Sequence, residues 1–128
     1  MSSVYYNVHE MTKPFGNYLR QRRESLLAGD RRFSVRQVSG RIGVEPSYLS
    51  KVERAETPPP SEEKIVALAR ELGEDPDVLL ALAGKVSSEL QAIILKRPKL
   101  FADLIRELKS QPDNAVLRLV REVRDGKW

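Results

Sequence analysis

The chain has 128 residues, of which 41% are hydrophobic and 31% charged, and its formal net charge is +4 at pH 7. This length fits one domain or two small ones. The sequence has no cysteine and a single histidine, His9. It therefore excludes disulfides and thiolate chemistry, and it leaves too few ligands for a histidine-based metal site. We expect no catalytic residues, no metal and no cofactor.

No apolar run near the N-terminus resembles a signal peptide, and no stretch approaches the length that spans a bilayer. The absence of cysteine also fits a reducing compartment. We therefore expect a cytoplasmic protein with no membrane partner.

The positive charge is concentrated in one segment. Residues 13–54 contain ten basic and four acidic side chains, whereas residues 61–128 contain twelve of each. A local excess of this kind is typical of a surface that faces nucleic-acid phosphates. A basic surface that is merely solvated stays open as the alternative.

In chain order, residues 1–12 show little periodicity and predict a flexible arm. Five helices follow, each with its apolar residues at helical spacing. Their predicted ranges are residues 15–27, 34–42, 46–54, 61–72 and 75–83. A loop over residues 28–32 separates the first two, and Thr57-Pro58-Pro59-Pro60 separates the third from the fourth.

Residues with known preferences at helix ends support these boundaries. Ser34 and Ser61 are good N-caps, and Pro46 suits a first helical position because proline has no N–H to leave unbonded there. Gly43 suits the left-handed conformation that closes a helix.

The rest of the chain predicts three amphipathic helices, over residues 87–96, 98–109 and from Pro112 onward. Nothing alternates with period two for long enough to indicate a strand. We therefore predict an all-α protein with a flexible arm (1–12), a five-helix domain (13–84) and a smaller helical C-terminal region (85–128).

Residues 34–53 have the pattern of a helix-turn-helix, in which two short helices meet at a glycine turn. The predicted inward side chains are Val38, Ile42, Val44, Leu49 and Val52. The predicted outward side chains are Arg36, Gln37, Arg41, Ser47, Tyr48, Ser50 and Lys51.

These features also occur in a known order along the chain. The pieces are Leu19-Arg20-Gln21-Arg22-Arg23, Gly43-Val44, Tyr48-Leu49-Ser50-Lys51-Val52-Glu53 and Ala67-Leu68-Ala69-Arg70-Glu71-Leu72-Gly73, followed by Asp77-Val78-Leu79-Leu80. Over residues 15–84 the sequence resembles the Cro/C1-type (phage-repressor-like, XRE) helix-turn-helix family. The resemblance implies a five-helix lambda-repressor-like domain that binds double-stranded DNA and regulates transcription, most commonly as a repressor.

The resemblance also implies residue roles. Pro46, Ser47, Ser50 and Lys51 take positions that reach bases or nearby phosphates, and Arg36 and Arg41 take phosphate-contacting positions. Tyr48 fits either a sugar or methyl contact or a phosphate contact.

The resemblance further implies that Arg23 and Glu53 form a partly buried structural salt bridge. Two positions depart from the family pattern. The family often has glutamine where Val35 stands and a polar residue where Pro46 stands. Base reading should therefore depend mainly on Ser47, Ser50 and Lys51, with Tyr48 as a further candidate. For Arg31 and Arg32 in the preceding loop, phosphate contact and simple solvation are equally open.

Two apolar stripes in the C-terminal region are candidates for a homodimer contact, since a single helix-turn-helix reads only a few base pairs. They comprise Leu100, Phe101, Leu104, Ile105 and Leu108, and Val116, Leu117, Val120 and Val123. The alternative is that they close a small core within one chain.

A subset of such regulators is relieved by ImmA/IrrE-type metallopeptidases, and by that resemblance a cut is expected near residues 104–106. An antitoxin-like protein whose C-terminal helices neutralise a partner toxin is the second functional reading. An enzyme lacks any acid–base constellation.

Overall fold

The computed structural model describes residues 8–126, with side-chain surroundings from residue 13. Its described part is all-helical, as predicted, with no strand. The helices are α1 (Val8–Leu27), α2 (Val35–Ile42), α3 (Pro46–Glu53), α4 (Glu62–Leu72), α5 (Pro76–Leu82), α6 (Ser88–Lys96), α7 (Pro98–Leu108) and α8 (Asp113–Asp125).

The predicted caps are confirmed. The Ser34 hydroxyl accepts a hydrogen bond from the Gln37 amide at 3.1 Å, which satisfies one of the free N–H groups of the first turn of α2. Gly43 ends α2 with φ of 78°, a left-handed conformation that costs a residue with a Cβ about 1–2 kcal/mol. Pro46 occupies the first turn of α3 and Ser61 caps α4.

Two elements differ from the prediction. Helix α1 begins at Val8 and passes through Pro14, whereas the predicted helix began at residue 15 after a flexible arm. A proline inside a helix removes one backbone hydrogen bond and its ring crowds the carbonyl four residues earlier, so Pro14 lowers the stability of this part of α1. Residues 1–7 of the predicted arm lie outside the described residues. Within the predicted loop, Arg31–Phe33 forms a short 3-10 helix that begins at Asp30.

Chain contacts divide the protein into two compact units, Met1–Ser87 and Ser88–Trp128, called here the N-terminal and C-terminal units. The N-terminal unit has one apolar core to which all five of its helices contribute. Its fully buried side chains include Phe15, Leu19, Val38, Leu49, Ile65, Leu68, Leu72, Leu79 and Leu80. This core fixes α2 and α3 against a scaffold of α1, α4 and α5.

The C-terminal unit is different, because none of its described residues is buried. Its three helices are amphipathic, yet several of their apolar side chains are more than half exposed, namely Leu95, Leu100, Ile105, Leu117 and Val123. Across residues 8–126, no helix is long and apolar enough to cross a membrane.

Candidate nucleic-acid interface

Helix α3 has one buried and one open face. Leu49, Val52 and Glu53 are buried on the inner side. The opposite, open side of the helix consists of exposed Pro46, Ser47 and Lys51 together with half-buried Ser50. These four residues share one side because they follow an i, i+1, i+4, i+5 spacing. The open face therefore presents two hydroxyl groups and one ammonium group, which are the donors that base edges and phosphates accept from.

Tyr48 lies between these two faces. It is half-buried and packs against the core of the N-terminal unit. Its ring therefore helps to pack the N-terminal unit. This packing role is separate from the two DNA contacts that were predicted for Tyr48.

The turn between α2 and α3 is held by hydrogen bonds. The Val44 amide donates to the Ser39 carbonyl at 2.9 Å, and Ser39 is fully buried with its hydroxyl donating to the Arg36 carbonyl at 3.0 Å. From α4, the Lys64 ammonium donates to the Ile42 carbonyl at 2.8 Å. A cation at the negative end of α2 is favourable, so Lys64 helps to position the turn. Sequence reasoning missed this residue because its partner lies 22 positions away.

A buried ion pair joins α1 to α3. Both Arg23 and Glu53 are 5% exposed, and the guanidinium donates twice to the carboxylate, at 2.6 and 2.9 Å. A third donation reaches the Phe33 carbonyl at 3.2 Å. Hydrogen bonding to Glu53 raises the pKa of Arg23, which favours the charged guanidinium. The structure thus brings together the two residues predicted to form the structural salt bridge.

Close packing supports the same contact. Gly16 of α1 is buried, and a Cβ placed on it would lie 2.7 Å from the Glu53 carbonyl oxygen and 2.8 Å from that of Val52. These distances are shorter than any side chain tolerates, so α1 approaches the end of α3 as closely as backbone atoms permit.

Most basic side chains of the positive segment are neutralised within the protein. Six of the ten form ion pairs at 2.5 to 3.1 Å. Arg32 is chelated by Asp30, and this hydrogen bonding raises the pKa of Arg32 and lowers that of Asp30. The full set of pairs is Arg20–Glu24, Arg22–Glu74, Arg23–Glu53, Arg32–Asp30, Arg41–Glu71 and Arg54–Glu56.

Arg41, which was predicted to contact phosphate, has several partners within the protein. Its guanidinium pairs with Glu71 of α4 at 2.5 Å, donates to the Arg32 carbonyl at 2.6 Å and lies over the Phe33 ring. These three contacts tie α2 to α4 and to the 3-10 helix. Arg41 therefore has structural partners where the resemblance implied a phosphate.

Four cations of the segment have no ion pair or side-chain hydrogen bond to any residue in the described range. They are Lys13, Arg31, Arg36 and Lys51, and all four are exposed. Arg36 lies in the first turn of α2, Arg31 just before that helix, and Lys51 on the open face of α3. The free charge is therefore placed around the N-terminus of α2 and the outer side of α3.

An open cavity of about 200 Å³ lies between these elements. Its lining includes Val35, Ser50 and Glu53, together with Arg20 and Arg54, whose charges are already paired. Lys13 lies seven residues before Arg20, and hence on nearly the same face of α1. Sequence reasoning missed Arg20 as a neighbour of this surface, since only the packing of α1 places it beside α3. It also missed Arg54, which caps the C-terminal end of α3.

Comparison with models of known protein families identifies the family to which the N-terminal unit corresponds. The family model for a helix-turn-helix domain matches residues 14–82, more than half of the chain. The chain belongs to the helix-turn-helix domain family. Searches of curated proteins and of solved structures each returned no match.

Family membership has two consequences for the surface described above. The helix-turn-helix domain makes the chain a DNA-binding regulator, and families of this class are typically non-enzymatic. In a helix-turn-helix the second helix enters the major groove while the first crosses the backbone. In this chain, α3 and α2 take those two places in the motif.

Proposed function

We propose that the chain is a dimeric transcriptional repressor of the Cro/C1 type, which binds a two-fold symmetric operator. Residues 13–84 form its DNA-binding domain and residues 85–128 its oligomerisation region. The observation that carries the proposal is the distribution of charge. Ion pairs hold six of the ten basic side chains of the positive segment. Of the four without such a partner in the described residues, Arg36 on α2 and Lys51 on α3 lie on the two helices that meet DNA in this motif.

Within the proposal, the open face of α3 reads bases. Ser47 and Ser50 donate or accept at base edges, Lys51 donates to a guanine edge or a phosphate, and Pro46 makes apolar contact. Tyr48 supports the face from its half-buried position.

Arg36 and Gln37, in the first turn of α2, contact the DNA backbone together with Arg31. Arg32 and Arg41 each pair with a carboxylate of the same chain. These partners support structural roles for both arginines and favour Arg31 as the phosphate contact of the loop.

Selection from a library of random DNA duplexes tests this function directly. We expect an inverted repeat with half-sites about one helical turn, or roughly 10 base pairs, apart. If no motif is enriched under conditions where the protein binds bulk DNA, specific repression is contradicted.

Lys51→Ala separates base reading from backbone binding. The variant should lose about 1–3 kcal/mol of binding free energy on the selected operator and tolerate substitution at one base pair of each half-site. Titration of operator variants by fluorescence anisotropy measures both effects. An equal loss on every sequence would assign Lys51 to a phosphate instead.

Relief of repression by an ImmA/IrrE-type metallopeptidase is the regulatory part of the proposal. Leu104, Ile105 and Arg106 are exposed on α7, although their helical backbone must open locally before a protease can cut it. Incubation with a cognate peptidase and mass spectrometry locates the cut, and an intact chain would remove this part.

An antitoxin-like role is the second candidate, favoured by the exposed apolar side chains of the C-terminal unit. In the antitoxin-like role a partner protein covers those side chains, whereas in the dimeric repressor a second copy of the chain does. Co-purification of one stoichiometric, unrelated protein whose removal leaves the regulator monomeric would favour it over the dimeric repressor.

A further inference from the structure

One acidic side chain lies beside the open face of α3. Glu45 is exposed and directly precedes Pro46, the first residue of this helix. Every exposed residue within α2 and α3 is neutral or basic, which suits a surface that faces phosphates. A carboxylate next to that surface lowers its attraction for DNA of any sequence, so its presence there calls for a physical reason.

The Glu45 side chain does not cap its own helix. Ser34, Ser61 and Asp75 precede α2, α4 and α5, and each side chain accepts a hydrogen bond from an amide of the first turn. Glu45 takes the equivalent position before α3, but its side chain makes no such bond. The side chains that cap helices well are the shorter Ser, Thr, Asp and Asn. The carboxylate of Glu45 is therefore not used in holding α3.

The same carboxylate does not neutralise a neighbouring cation. The positive segment contains four acidic residues, and the other three, Glu24, Asp30 and Glu53, each pair with an arginine. Among the residues whose side chains are described, no ion pair or side-chain hydrogen bond includes Glu45. Within that range, Glu45 is the carboxylate of the segment that is available to a ligand.

The backbone of Glu45 is fixed. Its carbonyl accepts hydrogen bonds from the amides of Tyr48 at 3.0 Å and Leu49 at 3.2 Å. A following proline confines a residue to extended conformations, and Glu45 lies in that region with φ of −72° and ψ of 142°. Only the side-chain torsions therefore have to be ordered when the carboxylate binds, which keeps the entropic cost of a contact small.

The chemistry of a carboxylate selects among the four bases. In the major groove guanine presents acceptors, and thymine presents an acceptor and a methyl group, so neither can donate to a carboxylate. Adenine has a donor at N6 but an acceptor at the adjacent N7. Cytosine presents its N4 amino group with no acceptor on the same edge. Cytosine is therefore the base that a carboxylate at the start of α3 recognises best.

We propose that Glu45 is a specificity-determining residue whose carboxylate accepts a hydrogen bond from the N4 amino group of one cytosine in each half-site. The inference rests on the proposed operator binding by α3 and deepens it by assigning one base. Repulsion from phosphates weakens binding to every sequence, and the hydrogen bond offsets this loss only where cytosine is present. Glu45 thus acts mainly by excluding wrong sequences.

Selection from random duplexes, run in parallel with the unaltered chain, Glu45→Gln and Glu45→Ala, tests the assignment. We expect the unaltered chain to select cytosine at one position of the half-site. A glutamine amide both donates and accepts, which matches adenine N7 and N6, so Glu45→Gln should move the preference at that position from cytosine towards adenine. Glu45→Ala should select no base there and should keep the preferences at the other positions.

Anisotropy titrations give the size of the effect. Replacement of the selected C·G pair should weaken binding of the unaltered chain about 5-fold or more, and binding of Glu45→Ala by less than about 2-fold. On bulk DNA, Glu45→Ala should bind about 2- to 5-fold more tightly, because a charge that repels phosphates is gone. Identical base preferences of all three proteins overturn the proposal, as does a change in affinity by the same factor on every sequence.

The matched control is Glu63→Ala. Glu63 is an exposed residue in the first turn of α4, outside the helix-turn-helix, and its removal changes the net charge by the same amount. This control should select the same sequence as the unaltered chain. If it alters the selected base as Glu45→Ala does, net charge is the cause and the proposal is wrong. Because Glu45 makes no capping bond, Glu45→Ala should unfold at nearly the same temperature as the unaltered chain.

Failure of this inference can be told apart from failure of the proposed function. If the unaltered chain enriches no motif, the proposed function fails and the inference fails with it. If the unaltered chain selects an inverted repeat, and Glu45→Gln and Glu45→Ala select the same repeat with the same base at every position, the inference fails alone.

Discussion

Substitution of single arginines near α2 should show which of them contribute to DNA binding, those without a carboxylate partner or those that have one. The comparison pairs Arg31→Ala with Arg32→Ala, and Arg36→Ala with Arg41→Ala. In each pair the first arginine has no partner in the described part of the chain, and the second is held by a carboxylate at 2.8 Å or 2.5 Å. A cation that already has a carboxylate partner releases little salt when DNA binds, because its charge is compensated before binding.

The magnitude follows from counterion release. Each phosphate contact contributes about 0.9 to the steepness of log K against log salt concentration. Between 50 and 200 mM salt, one contact therefore accounts for a loss of affinity of about 3- to 4-fold, and a variant without that contact does not show this loss. Arg31→Ala and Arg36→Ala should therefore each lower the slope by about 0.9 per protomer. Arg32→Ala and Arg41→Ala should leave the slope nearly unchanged.

Fluorescence anisotropy with a labelled duplex at four or five salt concentrations measures the slopes. Thermal denaturation of each variant serves as the control, because loss of the contacts of Arg41 should lower stability while loss of Arg36 should not. Equal slope changes within each pair would refute the reasoning that internal ion pairs remove a cation from the DNA-binding surface.

Three further substitutions test the scaffold that holds α3. Glu53→Ala leaves the Arg23 charge buried and unpaired and should lower the free energy of unfolding by about 3–5 kcal/mol in urea titrations, against about 0.5 kcal/mol or less for Glu24→Ala at an exposed pair. Gly16→Ala forces α1 away from the end of α3 and should lose about 1–3 kcal/mol together with DNA affinity; unchanged affinity would show that α3 does not depend on this contact. Gly43→Ala, at φ of 78°, should lose about 1–2 kcal/mol by the same titration, and a stability equal to that of the unaltered chain would contradict the strained turn.

Much of the helix-turn-helix was predictable because its signals are local. The Ser34 cap bonds an amide three residues away, and Gly43 ends α2 through its own backbone conformation. The apolar spacing of Val38, Ile42, Leu49 and Val52 decides which sides of α2 and α3 face inward. Each of these features depends on neighbours within one or two helical turns, so the sequence contains all the information that they need.

The start of α1 and the 3-10 helix were not predictable in this way. Val8 and Pro14 belong to a helix that continues N-terminally from its buried anchor residues, and no cap or periodicity before residue 13 indicates it. Arg31–Phe33 is shaped by Asp30, which accepts from the Arg32 amide, and by Arg41, which donates to the Arg32 carbonyl. The first contact is local, but the second exists only after α2 has docked.

The sequence by itself therefore determined an all-helical chain, the helix-turn-helix and the segment where positive charge accumulates. Only the tertiary structure decided which of those charges are free. Arg41 meets Glu71 across 30 positions and Arg22 meets Glu74 across 52, and Arg36 and Lys51 are left without carboxylates. Coulomb attraction depends on distance in space and not along the chain, so the composition of the segment gives its net charge, but the fold selects the cations that remain available to DNA.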